Sequence, residues 1–317
     1  MNQPHPKKLP TLFSKFFLQV SLCALWPVAQ LPFKLQLKIG HCIGLLMLRY
    51  AKRLRTVATI NINLCFPHLS DTQRQDLLKK NFLSLGIGVM ESLMAWLATE
   101  ERIKPLLHLH GKEHLDHALS QKKGIIVLGA HFTTLPIISR LSTQVMPVAV
   151  MHRRQRKPLL DELVRKNYEK HHVKAILRED VRGMLTCLKQ KTSVWYTPDV
   201  DAGPKKSVFV PFFGISTATV TAVSRFAELA DAVVMPVAFY RRADGKGYDM
   251  HIQPILSNFP SGDPKQDAAR INQIVEMAVM KHPEQYLWQY KRFKTRPPGE
   301  VLFYPNKRGE FKVQPLN

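Results

Sequence analysis

Apolar side chains recur at helical spacing between residues 71 and 99. There Leu77, Leu78, Phe82, Leu85, Val89, Leu93 and Trp96 form one stripe behind a capping Asp71. Farther along the period changes. Ile125 to Leu128 and Val145 to Met151 are apolar runs of strand length, and Ser193 to Thr197 and Ala232 to Tyr240 repeat the pattern. Between and after them, Gly111 to Ser120, the stretch following His131, Asp161 to His171, Asp180 to Lys191, Thr219 to Ala230 and Asp267 to Lys281 read as helices. Asp244-Gly-Lys-Gly247 is a turn, closed into a hairpin by a strand from Tyr248 to Ile252. Strands alternating with helices predict an α/β fold with a central sheet covered on both faces. Gly86-Ile-Gly88 falls inside the first helical pattern and forms no phosphate-binding loop.

The N-terminus carries a different signal. Phe16 to Phe33 is an 18-residue stretch without a charge, near the lower limit for crossing a bilayer, with Pro27 and Pro32 weakening a straight span. No small-residue cleavage site follows it, so a retained anchor, spanning or interfacial, is expected. Lys34, Lys38, Arg49, Lys52, Arg53 and Arg55 lie downstream, against Lys7, Lys8 and Lys15 upstream, which leaves the C-terminal body in the cytosol. The expected organisation is a tail and anchor over residues 1–38 and a single domain over 39–317.

Charge narrows the partners. Lys plus Arg number 46 against 24 Asp plus Glu in 317 residues, a formal +22, and the excess calls for an anionic partner. It recurs through the body in Lys52–Arg55, His152–Lys157 and Lys291–Arg296. Basic residues are not interleaved with aromatics on a strand face and no helix-turn-helix pattern occurs, so nucleic acid is not expected. The cysteines at 23, 42, 65 and 187 show no paired spacing; Cys23 and Cys42 sit in apolar stretches that suit small buried side chains. His108, His110, His114 and His117, with Glu113 and Asp116, match no standard zinc spacing, and no metal site is expected.

The candidate chemistry lies at strand ends. The run 125–128 stops at Gly129-Ala130 and hands over to His131, a group able to take or give a proton near neutral pH. Arg153-Arg154 and Asp199 with Asp201 fall in loops that a doubly wound sheet could bring to the same rim. A histidine base needs a carboxylate to fix its tautomer, and cations nearby if the substrate is anionic; both are on hand. No serine or cysteine sits in a nucleophile elbow.

Longer motifs extend this reading. They are Asn61-Ile-Asn-Leu-Cys-Phe-Pro67, Gly124 to Leu135, Lys157-Pro-Leu-Leu-Asp161, Val194-Trp-Tyr-Thr-Pro-Asp199-Val-Asp-Ala-Gly-Pro204, Ser207 to Phe213, Asp244 to Tyr248 and Pro283 to Trp288 with Arg292 to Pro297. In these the chain closely resembles the lipid A biosynthesis acyltransferases, the late lauroyl and myristoyl transferases of Gram-negative bacteria, from the anchor to about Gly299. Trp195-Tyr-Thr-Pro-Asp199 looks nearer the lauroyl branch. The resemblance implies a lysophospholipid-acyltransferase-like α/β body with a central mixed sheet, anchored by an N-terminal helix to the bacterial inner membrane with its catalytic body on the cytosolic face. It implies transfer of a fatty acyl group from acyl carrier protein to the 3-hydroxyl of an acyl chain on a Kdo-bearing lipid A precursor, with no cofactor. His131 would be the general base, and Arg153, Arg154, Arg178, Asp201, Arg292 and Lys294 are the candidates for holding substrate.

One departure touches the chemistry. The family motif places an Asp or Glu five residues after the histidine, where this chain has Pro136, a residue that fits a first helical turn but cannot orient an imidazole. Either Asp199 or Asp201 supplies the missing partner, or the protein is a weak or inactive family member that only binds the precursor. A second departure is Asn167-Tyr168 where a Gly-Arg pair is expected, with Lys170 and Arg178 the nearest basic residues.

Overall fold

The computed structural model describes residues 23–155 and 157–306, together with 310, 313 and 314. In chain order the helices are α1 (Cys23–Ala29), α2 (Phe33–Tyr50), α3 (Lys52–Cys65), α4 (Asp71–Leu97), α5 (Glu100–Ile103), α6 (Lys112–Ser120), α7 (Leu135–Ser142), α8 (Pro158–His171), α9 (Val181–Lys189), α10 (Ala222–Ala230) and α11 (Pro264–Lys281). The strands are β1 (Leu107–His110), β2 (Ile125–Leu128), β3 (Val148–His152), β4 (Ala175–Leu177), β5 (Ser193–Tyr196), β6 (Ser207–Phe212), β7 (Ile215–Val220), β8 (Val233–Arg241) and β9 (Tyr248–Ile252).

The main sheet runs β1-β9-β8-β2-β5-β3-β4, and β6 with β7 forms a separate hairpin. Within it β8 and β9 are antiparallel and the other neighbours parallel, so the sheet is mixed as expected. β2 explains itself: a central parallel strand is covered on both sides, and Ile125-Ile-Val-Leu128 is buried throughout. Alternation sends Ile125 and Val127 into a core shared with Met94, Ile137 and Leu141, and Ile126 and Leu128 into a second core with Val223, Phe226 and Ile271. Each such side chain contributes about 1.5–3 kcal/mol by leaving water.

The segment expected to be one helix from Thr219 to Ala230 is divided. Thr219 and Val220 end β7, paired with Val208 and Ser207, and α10 begins at Ala222. Thr219 is held there by its hydroxyl, which receives bonds from Asn272 (3.0 Å) and Arg292 (3.0 Å). The hairpin turns at Phe213-Gly214, both at positive φ.

Most of the predicted anchor, residues 1–22, lies outside the described residues. From Cys23 onward α1 and α2 meet at a 113° bend around Leu31-Pro32. No single described helix is long and apolar enough to cross a membrane, though this bent pair passes on length and composition together. α2 runs unbroken through residue 38, the expected domain boundary, and packs on α4. The approach is close: a Cβ on Gly86 would stand 2.2 Å from the Gly40 carbonyl oxygen and the Gly44 nitrogen. Gly86 is therefore demanded by backbone-to-backbone packing, contrary to its bland appearance in the sequence. Because α2 buries Gln36, Gly40 and Gly44 on this side, its other face is left outward, and Cys42 is exposed there; Cys23 is exposed on α1. Both cysteines were expected to be buried. Leu25, Trp26, Leu35, Leu45, Leu46 and Tyr50 are exposed on the same two helices.

Candidate active site

β2 ends at Leu128, and the chain turns through Gly129 and Ala130 so that His131 stands at the carboxyl rim of the sheet. β5 is the neighbouring strand and ends at Tyr196, which brings the Thr197–Asp201 loop to the same rim. His131 Nδ1 lies 2.7 Å from Asp199 Oδ1, and the His131 backbone N–H donates to Oδ2 at 2.8 Å. The Tyr286 hydroxyl donates to Oδ2 at 3.0 Å. The Asp199 side chain is 2% exposed and that of His131 15%. Burial pushes the Asp199 carboxyl up, but the His131 charge and hydrogen bonds, together with the Tyr286 hydroxyl, outweigh it and leave the group below its ordinary value. An ionised carboxylate only accepts, so the ring proton sits on Nδ1 and Nε2 carries a free lone pair. Nε2 is 3.4 Å from the Thr197 hydroxyl, and the ring packs edge-on against Tyr290 with centroids 5.2 Å apart. An acid-oriented imidazole with an accessible Nε2 is an arrangement suited to general base catalysis.

Of the two aspartates offered by the sequence, Asp199 makes this pairing. Asp201 accepts from the Thr295 backbone N–H (2.7 Å), the Thr295 hydroxyl (2.9 Å) and the Gly203 N–H (2.8 Å), and so ties down the C-terminal loop. Pro136 is half-buried in the first turn of α7, a place that suits its missing N–H. Arg153 and Arg154 follow β3, Arg178 follows β4, and all three are exposed on the rim that carries His131. Arg153 is near enough to Tyr290 to offset part of the upward push that burial and Asp199 exert on that phenol. Lys294 is exposed and, with Arg53, pulls the Lys291 amine downward after burial, so two of the basic runs converge beside the site. Arg292 departs from expectation as a substrate ligand. It is 3% exposed and donates to the Ala218 carbonyl (2.7 Å), Thr219 and Asn272 (3.2 Å) inside the protein. At the expected Gly-Arg pair, Tyr168 is instead packed between the rings of His152 and His172.

The residues that hold the histidine loop had no role assigned from sequence, although Asn61 and Pro283 to Trp288 lie in its motifs. The strip 284–290 runs alongside it, with Leu287 N–H donating to the His131 carbonyl (2.9 Å) and Thr133 N–H to that of Gln285 (2.7 Å). Two buried asparagines pin this strip: Asn61 donates to the carbonyls of Trp288 and Tyr290 (2.7 Å each), and Asn81 to those of Glu284 (2.9 Å) and Tyr286 (2.7 Å). Beneath lies a buried ion pair, Arg241 bidentate on Glu91 at 2.6 and 2.7 Å, with Tyr248 adding a hydroxyl at 2.7 Å. Arg241 also reaches Ser84, whose hydroxyl meets that of Thr133 at 2.7 Å. Gly88 belongs to the same support, since a Cβ there would lie 2.6 Å from the Thr133 carbonyl oxygen. An asparagine within the apolar stripe of α4 was the readable sign: a buried amide needs partners. A cavity of about 550 Å³ lies near this loop, walled by Leu128, Ala130, Phe132, Tyr240, Ile274 and Met277 among others. The His131 ring is not part of its wall; it lies against Thr197 and Tyr290 instead.

Comparison with known proteins adds identity to this geometry. The model of the bacterial lipid A biosynthesis acyltransferase family matches residues 7–295. This chain belongs to that family. It is 38% identical over 276 residues to the lipid A biosynthesis lauroyltransferase of Escherichia coli K12, covering 87% of this chain and 90% of that protein. It is 34% identical over 301 residues to the palmitoleoyltransferase of the same organism, covering 95% and 96%. To the myristoyltransferase it is 30% identical over 294 residues, covering 91% and 90%. Among solved structures, a 1-acyl-sn-glycerophosphate acyltransferase from Thermotoga maritima aligns with a TM-score of 0.35 at 13% identity, over 75% of this chain and 99% of that one. As a member of the family, the protein is an acyltransferase of lipid A biosynthesis.

Proposed function

We propose that the enzyme transfers a fatty acyl group, lauroyl by preference, from acyl carrier protein to the 3-hydroxyl of an acyl chain on a Kdo-bearing lipid A precursor. The observation that carries the reading is the His131–Asp199 pair at 2.7 Å, an acid-oriented base in a member of an acyltransferase family. His131 Nε2 takes the hydroxyl proton as that oxygen attacks the thioester carbonyl carbon. The tetrahedral intermediate collapses with cleavage of the C–S bond, and the imidazolium returns the proton to the departing thiolate. The new ester needs no acyl-enzyme. Asp199 stays ionised throughout, steadying the imidazolium, and Tyr286 holds the carboxylate in place. Arg153 or the amides at the start of α7 would stabilise the oxyanion. The lauroyl preference draws on the higher identity to the lauroyltransferase.

Both partners suit the surface. Carrier protein is acidic and the acceptor carries phosphates and carboxylates, while Arg153, Arg154, Arg178 and Lys294 are exposed. The outward faces of α1 and α2 combine Trp26, Leu35, Leu45 and Leu46 with Lys34, Lys38 and Arg49, a composition for lying in a headgroup layer. In this reading the helices hold the catalytic body on the cytosolic face of the bacterial inner membrane and help to shelter the acyl tail. The test is mass spectrometry of lipid A from cells with and without the protein. Gain of one acyl chain, a lauroyl by mass, supports the proposal; identical lipid A in both strains refutes it.

A further inference from the structure

The outer end of the sheet carries a polar face that acyl transfer does not use. Residues in β1 and β9 alternate between faces, and the parallel register sets His110 opposite His251 and Leu109 opposite Met250. Leu109, Met250 and Ile252 turn into the core. His110, Asp249 and His251 therefore share the other face, the last two being separated by a single residue of β9. The imidazoles of His110 and His251 stack with centroids 4.6 Å apart and planes 11° from parallel, and His110 Nε2 is 2.9 Å from Asp249 Oδ1. One donor atom from each of the three residues falls within 4.8 Å of the others. A tetrahedral ion with bonds of about 2.0–2.1 Å draws its donors to about 3.4 Å apart, a change that side-chain rotation can supply when all three stems already share a face.

We propose that His110, Asp249 and His251 form a binding site for a divalent transition metal of the zinc class, with a coordination position left for water. Two imidazoles and one carboxylate are a borderline-soft set suited to zinc, cobalt or nickel and poorly suited to magnesium. Arg242 donates to Asp249 Oδ1 at 3.0 Å, and Lys281 and His282 also face this cluster. These charges oppose a dication, so micromolar affinity is expected and not the tighter binding of a closed structural site. Among the described residues β1 is an edge strand paired with β9, and the ion would staple the two together. The Tyr240 ring faces His251 at 5.7 Å and Phe132 at 5.6 Å, which connects the cluster with the loop of His131.

The test uses the full-length, tag-free protein in detergent, stripped with chelator and titrated with Co²⁺, then with Zn²⁺ as competitor. Expected are a visible ligand-field band, one ion displaced per chain by Zn²⁺, and no competition by Mg²⁺. His110→Ala and His251→Ala would each weaken binding by more than about tenfold. His117→Ala, on the exposed side of α6, would bind as the wild type does. Absence of the band, or binding equal to wild type in both the His110 and His251 variants with circular dichroism unchanged, would overturn the proposal.

Discussion

Replacing Asp199 by Asn changes one atom in a buried place and separates orientation from bulk. Asp199 Oδ2 accepts from the His131 backbone N–H at 2.8 Å and from the Tyr286 hydroxyl at 3.0 Å, so the amide oxygen of the variant would take that position. Its NH₂ then replaces Oδ1, 2.7 Å from His131 Nδ1, where a donor already points. The ring resolves the conflict by moving its proton to Nε2, the atom that accepts from the substrate in the proposed reaction. The variant thus keeps its shape and loses its base. In the serine protease template the same substitution costs about 10⁴ in rate, which is about 5 kcal/mol of barrier. A fall in kcat of about 10³–10⁴ is expected here, with KM changed less than about threefold because Asp199 is buried behind the imidazole. The assay is transfer of a radiolabelled acyl group from carrier protein to the Kdo-bearing precursor by the purified variant, with a thermal melt to verify folding. A folded Asp199→Asn enzyme within tenfold of wild-type kcat would show that Asp199 does not set the working tautomer of His131.

Three further outcomes follow from the same geometry. Pro136→Glu restores the family's acidic residue, yet Nδ1 is already engaged by Asp199, so kcat should change by less than about tenfold; a hundredfold gain would show that the imidazole lacks a working partner. Gly88→Ala sets a Cβ 2.6 Å from the Thr133 carbonyl oxygen, and should cost about 1–3 kcal/mol in a denaturant melt and about a hundredfold in kcat by displacing the His131 loop; unchanged activity would contradict the close approach. His171 is held down from its ordinary 6.5 to about 4 by burial and then by the charges of Arg140 and Lys170, against the pull of Glu100. The unfolded chain therefore binds more protons between those values, and stability falls as pH drops from about 6.5 to about 4. His171→Gln should flatten that limb in urea midpoints measured at pH 7 and pH 5, and an identical slope in the variant would dismiss it.

The elements with a clean period were legible, and for physical reasons. A central parallel strand must be apolar throughout, and Ile125 to Leu128 has its expected limits. Tyr248 to Ile252 likewise closes the hairpin after Asp244-Gly-Lys-Gly247. Thr219 and Val220 misled because the pairing that makes them strand comes from β6 and the bonds that hold them come from α11 and Arg292. Cys23 and Cys42 misled because apolar neighbours on a helix do not say which face is packed, and here the glycines of α2 claim the inner side. At the site, His131 could be read from its position after a strand. Its pairing with a residue 68 positions on depends on β2 and β5 being neighbours, which no local pattern states. Tyr286 and Tyr290 come from an irregular strip without period, placed by side-chain bonds from Asn61 and Asn81. The spacing of His108–His117 gives no sign that His110 meets Asp249 and His251, because those two arrive from a strand far along the chain.

In the proposed reaction the imidazole at position 131 accepts the acceptor's hydroxyl proton. This step is tested most directly by single-turnover transfer from acyl carrier protein with purified wild type and His131→Ala at equal occupancy of both substrates, read as the mass of the lipid product. The variant should bind donor and acceptor and stay folded while product formation drops by at least about 10³. Product formed by His131→Ala at the wild-type rate would contradict it.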